Sequence, residues 1–286
     1  MKSKIVPPLL FVCSTGTVEE LEQLLSKDPK IDFNCKNNAG WTPLFIACQR
    51  GYIEMVKVLL KDQRIDINKA NYGKETPLFI ACSHGNIDIV EMLLNNERIE
   101  PNKANSNDKT PFFVACWNGH IEVVRLLLND KRVDVNKANE YGRTPFFFAC
   151  QEGYIKTANL LLNSERVDLN KANNNHETPF YFACQEGHIE IVESILASNR
   201  EVNLKTINKH GKMVIDIVRQ RVTEGKKAWE WEIQYQKRKE KYEGIIELLE
   251  SLEKNPNETR FRLRKKLGLA GKYFFIYFPE KFSYFP

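Results

Sequence analysis

The chain has 286 residues, 42% of them hydrophobic and 28% charged, with a formal net charge of +5. That balance supports a folded core and excludes an intrinsically disordered chain, which would combine low hydrophobicity with high net charge. No apolar run reaches the roughly 18–20 residues of a membrane-spanning helix. The seven cysteines are an odd number without a CxxC pair, which argues against a disulfide framework or zinc module and for a reducing compartment, the cytoplasm or the nucleus.

At the N-terminus, Met1 to Lys4 followed by Ile5 to Cys13 imitates a short signal peptide or a lipoprotein signal. Pro7 and Pro8 break the apolar stretch, and Val12 stands where a lipoprotein cleavage site needs a small residue. The same residues fit a repeat register that runs down the chain, and the segment is read as the first repeat.

That register rests on several features. Thr-Pro recurs at 42, 76, 110, 144 and 178, a spacing of 34 each time. Cys48, Cys82, Cys116, Cys150 and Cys184 each follow an Ala, and Gly51, Gly85, Gly119, Gly153 and Gly187 stand three residues later. Leu-Leu pairs at 59–60, 93–94, 127–128 and 161–162, and the row Asn34, Asn68, Asn102, Asn136 and Asn170, keep the same step. Each position has a physical reading. Thr caps a helix and Pro takes the first helical position, where no donor is needed. Phe-Ile-Ala-Cys and its variants form a short first helix, whose small Ala permits close approach of neighbours. The Gly reverses the chain at positive φ. A second amphipathic helix follows, with Ile121, Val124, Leu127 and Leu128 expected on one face. An extended, hairpin-like loop then leads to the next Thr-Pro. One such unit cannot bury its apolar faces alone, so copies must stack.

Thr144-Pro-Phe-Phe-Phe-Ala-Cys-Gln-Glu-Gly153 and Asp134-Val-Asn136 resemble the ankyrin repeat signature. The resemblance covers residues 1–254 and implies an all-α solenoid of stacked helix–turn–helix units with hairpin-like loops, plus a short C-terminal tail. The expected array has an N-terminal capping repeat over 8–41, full repeats starting at 42, 76, 110, 144 and 178, and a C-terminal capping repeat over 211–254 carrying a charged helical insertion at 219–241. Residues 255–286 form a basic, aromatic tail. The chain departs from the family in three ways. One residue is added after the second helix, as in Asp62-Gln-Arg-Ile65, so the unit grows to 34. The family's first-helix His is replaced by Phe45, Phe79, Phe113, Phe147 and Tyr181. The hairpin-tip Gly, kept as Gly40 and Gly142, becomes Lys74, Asp108 and His176. Lys tolerates positive φ poorly, so the tip at Lys74 is expected to differ in shape.

Little in the sequence points to chemistry. Equivalent helices of neighbouring repeats pack at about 8–10 Å, too far for a disulfide's roughly 7 Å reach or for a shared metal. The cysteine row therefore reads as buried core, with Cys35 a half-exposed loop thiol. His120 and His188 follow the inter-helix Gly, a structural position by the resemblance. No HExxH, phosphate-binding loop or nucleophile elbow occurs, so no catalytic residue, metal site or cofactor is assigned and the chain is not expected to be an enzyme.

The resemblance implies that a partner protein docks on a concave face built from hairpin tips and first helices. The positions that face it here are Trp41, Arg50, Tyr72, His84, Lys109, Trp117, Asn118, Tyr141, Arg143, Gln151, Glu152, Asn174, Asn175 and Gln185, joined by Glu75, Glu177 and Glu186. Trp41, Tyr72, Trp117 and Tyr141 stand out because aromatics dominate interface energetics. Trp117 replaces the Gln or Ser of the other copies and is the expected anchor. Packing against a neighbouring repeat is the alternative use of each ring.

Toward the C-terminus, Trp231, Tyr235 and Tyr242 fall at helical spacing in the charged insertion, which predicts a lengthened helix that seals the stack or binds a partner. Arg260 to Leu267 reads as a short basic amphipathic helix ended by Gly268. Residues 255–286 hold seven Lys and Arg against two Glu, so the whole net charge of +5 sits there and residues 1–254 balance at 35 basic and 35 acidic. Lys272 to Pro279, rich in aromatics, suits a membrane interface, nuclear import or weak nucleic-acid contact, or a tail folded back on the last helices. The leading expectation is a monomeric, non-catalytic module that binds an unidentified protein partner. A peripheral membrane or nuclear tether, and a ubiquitin-ligase substrate adaptor, are the alternatives.

Overall fold

The computed structural model describes residues 7–227 and 229–269. The chain divides into two compact units, Met1–Ala149 and Cys150–Pro286, each built from paired antiparallel-type helices. Unit one holds α1 (Pro8–Thr15), α2 (Val18–Lys27), α3 (Pro43–Arg50), α4 (Ile53–Leu60), α5 (Pro77–His84), α6 (Ile87–Leu94), α7 (Pro111–Trp117) and α8 (Ile121–Asn129). The unit boundary falls inside α9 (Pro145–Glu152). Unit two continues with α10 (Ile155–Leu162), α11 (Pro179–Gln185), α12 (Ile189–Ala197), α13 (Val214–Thr223), α14 (Glu232–Lys254) and α15 (Pro256–Lys266).

The first helix of each pair starts as the residues dictate. The hydroxyls of Thr42, Thr76, Thr110, Thr144 and Thr178 accept the N–H three residues on, at 3.1–3.2 Å. Pro occupies the first helical position. Gly51, Gly85, Gly119, Gly153 and Gly187 all take φ between 71° and 76°, the left-handed turn that releases the chain into the second helix. Gly16 matches the row in sequence but is extended, at φ −86°. There Thr17 and Glu20 form a reciprocal capping box for α2, which starts the helix without a left-handed residue.

In each unit the core is built from first-helix side chains. Phe45, Phe79, Phe113, Phe147 and Tyr181 are buried, as are the Ala-Cys pairs beside them. Tyr181 keeps a polar link, its hydroxyl accepting from Asn208 Nδ2 at 3.0 Å. In α8 the buried face is Val123, Val124, Leu127 and Leu128, while Ile121 is only half-buried. The apolar stripe is thus rotated from the one expected, because Val123 turns inward.

The hairpin tips share one device. Asn37, Asn71, Asn105, Asn139, Asn173 and Asn208 each donate their backbone N–H to the carbonyl four residues on, and each side-chain Oδ1 accepts the N–H of that same residue at 2.9–3.1 Å. Lys74, Asp108 and His176 adopt φ of 61°, 56° and 64°, close to the 79° of Gly40 and 75° of Gly142. Lys74 N–H reaches Asn71 O at 3.1 Å, as Gly40 N–H reaches Asn37 O at 3.0 Å. The tip at Lys74 therefore does not differ in shape. The asparagine ties the loop from both ends, and the lysine accepts the left-handed conformation that results.

The lengthened segment between repeats carries its own bonds. Asn34 Nδ2 donates to Arg64 O at 2.9 Å, and its Oδ1 accepts from Asp66 N at 2.8 Å. Asn68 bonds Arg98 O and Glu100 N in the same way, and Asn102 bonds Arg132 O and Asp134 N. In unit two, Asn170 bonds Glu201 O and Asn203 N. The arginines of this segment reach back. Arg64 donates to Pro29 O, Arg98 to Gln63 O and Ile65 O, and Arg132 to Leu94 O. Arg200 donates to Ser164 O and Val167 O. Backbone groups that no helix satisfies are thus paired to the adjacent repeat.

In unit two the lengthened helix expected of the charged insertion is α14, 23 residues long, although it starts later than Trp231. α13 stops at Thr223, residues 224–227 and 229–231 are not helical, and Trp231 stands just outside α14. Glu230 closes this loop: its carboxylate accepts from Lys227 N–H at 3.2 Å and takes Arg238 in a two-pronged pair at 2.8 and 2.9 Å. Tyr242 alone of the three expected aromatics is buried, its hydroxyl donating to Gln185 O at 3.0 Å. The basic helix appears as α15, with Gly268 at φ 69° beyond it. It folds back: Leu263 is buried, Arg264 Nε donates to Ala197 O at 2.9 Å, and Lys266 pairs with the buried Glu193 at 2.6 Å. Two of its cations thereby serve α12. The aromatic stretch 272–279 lies outside the described residues.

Candidate partner-binding surface

In unit one the tips and first-helix ends present cations against rings. Lys36 Nζ lies 5.7 Å from the Tyr72 ring and donates to Ala70 O at 2.7 Å. Tyr72 is 70% exposed, and its backbone and ring crowd Gly40, where an added Cβ would meet Tyr72 N at 2.8 Å. Arg143 lies 5.6 Å from the Tyr141 ring, which is 57% exposed. Lys109 Nζ sits 3.5 Å from the centroid of the Trp117 ring. That same indole stacks on Phe148 at 4.4 Å, with 19° between planes, and meets Phe113 at 6.0 Å.

The alternative use of the Trp117 ring, packing against a neighbouring repeat, is thus realised. Trp117 packs on the next first helix and still exposes 36% of its surface. Partial burial pulls the Lys109 ammonium below the usual lysine range, while Glu140 opposes the shift. A cation this close to an indole is stabilised by the ring quadrupole, so Lys109, Trp117 and Phe148 form one ordered stack. Trp41 is half-buried and stacks over Phe45 of its own repeat at 5.7 Å, which makes it a packing residue first.

The remaining positions divide by what holds them. Arg50 and His84 are exposed at first-helix ends, with His84 Nδ1 3.0 Å from Ile80 O. Asn118 donates to Ser83 O and Oγ of the preceding repeat at 2.7 and 3.2 Å. In unit two, Gln151 and Gln185 each donate to the next residue, Glu152 and Glu186. Asn174 is exposed, and Asn175 accepts Lys209 N–H at 3.0 Å. Lys36 and Phe148, which complete the ring contacts, carry no signal of that role in the sequence. Their partners lie about one repeat away in the chain.

The thiols are held as core. Burial pushes those of Cys48, Cys82, Cys116, Cys150 and Cys184 well above the ordinary range, and raises Cys13 to about 12. Cys35 is half-buried and rises to about 11, through burial first and Asp32 second. His120 and His188 each place Nε2 2.9 Å from a carbonyl of the preceding repeat, Ser83 O and Gln151 O. Among the described residues no group of three His, Cys, Asp or Glu is placed to hold a metal, and no helix is long and apolar enough to cross a membrane.

Comparison with known proteins agrees with this architecture. The ankyrin repeat domain of Bcl-3, a member of the IκB family, superposes with a TM-score of 0.69 at 19% identity, over 75% of this chain and 95% of that one. The ankyrin repeat protein EF0377 superposes with a TM-score of 0.64 at 27% identity, over 69% of this chain and all of that one. In sequence, the mouse SMC5-SMC6 complex localization factor protein 1 is 56% identical over 45 residues, which are 16% of this chain and 4% of that protein. The family model for ankyrin repeats matches in three copies, over residues 6–71, 65–139 and 131–206. The chain belongs to the ankyrin repeat family, whose fold serves as a protein–protein interaction module.

Proposed function

We propose that this chain is a non-catalytic recruiter that grips a partner protein on its hairpin tips and first-helix ends, with Trp117 as anchor. The observation that carries this reading is the Lys109–Trp117–Phe148 stack, which holds a partly exposed indole in one orientation. An aromatic ordered before binding loses little freedom on contact, which is the property that makes such residues dominate interfaces. Tyr72 and Tyr141, each beside a cation, extend the surface in unit one. The buried, unpaired thiols favour a reducing setting, the cytoplasm or the nucleus.

The test is affinity capture with the full chain, followed by titration of the recovered partner against Trp117→Ala. The expected loss is about tenfold or more, since a central aromatic contributes upward of 1–2 kcal/mol. Affinity within about twofold of the parent, with helicity unchanged, would remove Trp117 as the anchor.

A further inference from the structure

The end of the loop before α14 and the first turn of that helix expose apolar surface. Trp229, Trp231 and Ile233 are 73%, 77% and 70% exposed, at alternate positions in a five-residue stretch. Glu230, between the two indoles, is buried and gripped by Arg238 through two hydrogen bonds. The ion pair pulls one side chain of the stretch inward and leaves its neighbours on either side facing solvent. Arg238 Nη2 also reaches Gly225 O at 3.3 Å, so one guanidinium ties both ends of the loop.

The surroundings are basic. Residues 225–241 carry six Lys and Arg against three Glu. Two of those carboxylates are already engaged, Glu230 by Arg238 and Glu232 by Lys226 at 3.2 Å. Lys227 Nζ lies 5.5 Å from the Trp229 ring. On α14, Lys237 and Lys241 follow Ile233 at one and two turns, with Glu240 on the same strip. Lys239 pairs with Glu243 at 3.8 Å.

We infer that the stretch bearing Trp229, Trp231 and Ile233, from the end of the loop into the first turn of α14, is an insertion site for an anionic lipid surface, with the flanking lysines on the headgroups. Indoles favour the boundary between headgroups and hydrocarbon, and lysines are drawn to anionic lipid. The apolar residues protrude from the loop end and the first turn of α14. A flat, fluid, negatively charged surface matches that shape and charge better than an acidic protein pocket does. This site shares no residue with the tip surface of the proposed partner.

The experiment is co-sedimentation of the full chain with phosphatidylcholine vesicles that contain about 30% phosphatidylserine, and with pure phosphatidylcholine. Binding to the anionic vesicles is expected, together with quenching of tryptophan emission by brominated lipid. The double variant Trp229→Ser/Trp231→Ser should bind about tenfold more weakly or worse at unchanged helicity, since both rings are exposed. Glu230→Gln, which keeps the indoles and loosens their mount, should weaken binding less. Absence of vesicle binding, or of brominated-lipid quenching in the parent chain, would overturn the inference. So would equal binding by the double variant, which would leave charge alone as the cause. Loss of a captured protein partner by the double variant, with no vesicle binding by the parent, would assign the loop to a protein instead.

Discussion

Lys74 sits at φ 61°, a conformation that costs a side-chain-bearing residue about 1–2 kcal/mol. Asn71 imposes it by accepting Glu75 N–H at 2.9 Å while Lys74 N–H bonds Asn71 O. Replacing Lys74 with Gly should therefore stabilise unit one by roughly 0.5–1 kcal/mol, after the extra entropy glycine loses on folding. Gly40→Ala should do the reverse, since it meets both φ 79° and the Tyr72 backbone. Urea melts of the two variants should shift in opposite directions, and equal midpoints would show that the tips are not strained. At the same scale the thiols separate by burial. Only the thiolate reacts with an alkylating agent, so in the native chain Cys35 should label first, with a rate that climbs as pH rises toward about 11. The buried row should label only on unfolding, and mass spectrometry of the modified peptides would reveal any exception.

The elements are joined by side-chain bonds to backbone that repeat with the sequence. Asn68 is buried and holds both Arg98 O and Glu100 N. Its replacement by Ala should cost about 1–3 kcal/mol, the penalty for leaving buried donors and acceptors unmet. The more exposed Asn34→Ala should cost less, because water replaces its bonds. A comparable loss at both sites would mean that burial is not what sets the energy. The α13–α14 loop has one tie of another kind. Arg238 draws the Glu230 carboxyl from its ordinary 4.5 down to about 2. A lowered carboxylate stabilises the folded form fully above the unfolded value and loses that contribution as pH falls through the folded one. The loop should hold at pH 5 and loosen between about 4.5 and 2. An NMR titration should place the Glu230 midpoint near the lower figure, and Arg238→Gln should move it back up.

For the whole molecule, stability is expected to add repeat by repeat, and each end needs a cover. In unit two α15 supplies part of that cover. Leu263 is buried, Arg264 bonds Ala197 O, and Lys266 meets Glu193. Deleting residues 255–286 should lower the melting temperature by several degrees, about 2 kcal/mol for the lost apolar contact alone. An unchanged melting curve would show that α12 and α14 close the end without help. The basic residues of this segment were open in the sequence to surface binding or to packing. For Arg264 and Lys266 the structure assigns packing.

What recurs locally is written in the residues. Thr-Pro, Ala-Cys and Gly specify cap, small core residue and turn within ten residues, so the helix pairs, their 34-residue period and the buried thiols were legible before any coordinates. The rest depends on residues a repeat apart, which meet only in the folded chain. The amides of Asn34 and Asn68 find their carbonyls about 30 residues away, and Trp117 finds Phe148. The segment between α13 and α14 is tied by a Glu230–Arg238 pair that helical spacing did not show, and Lys74 turns left-handed within the loop that Asn71 ties. Periodicity reports the face a residue belongs to. Which atom it meets there is settled only when the neighbouring repeat is in place.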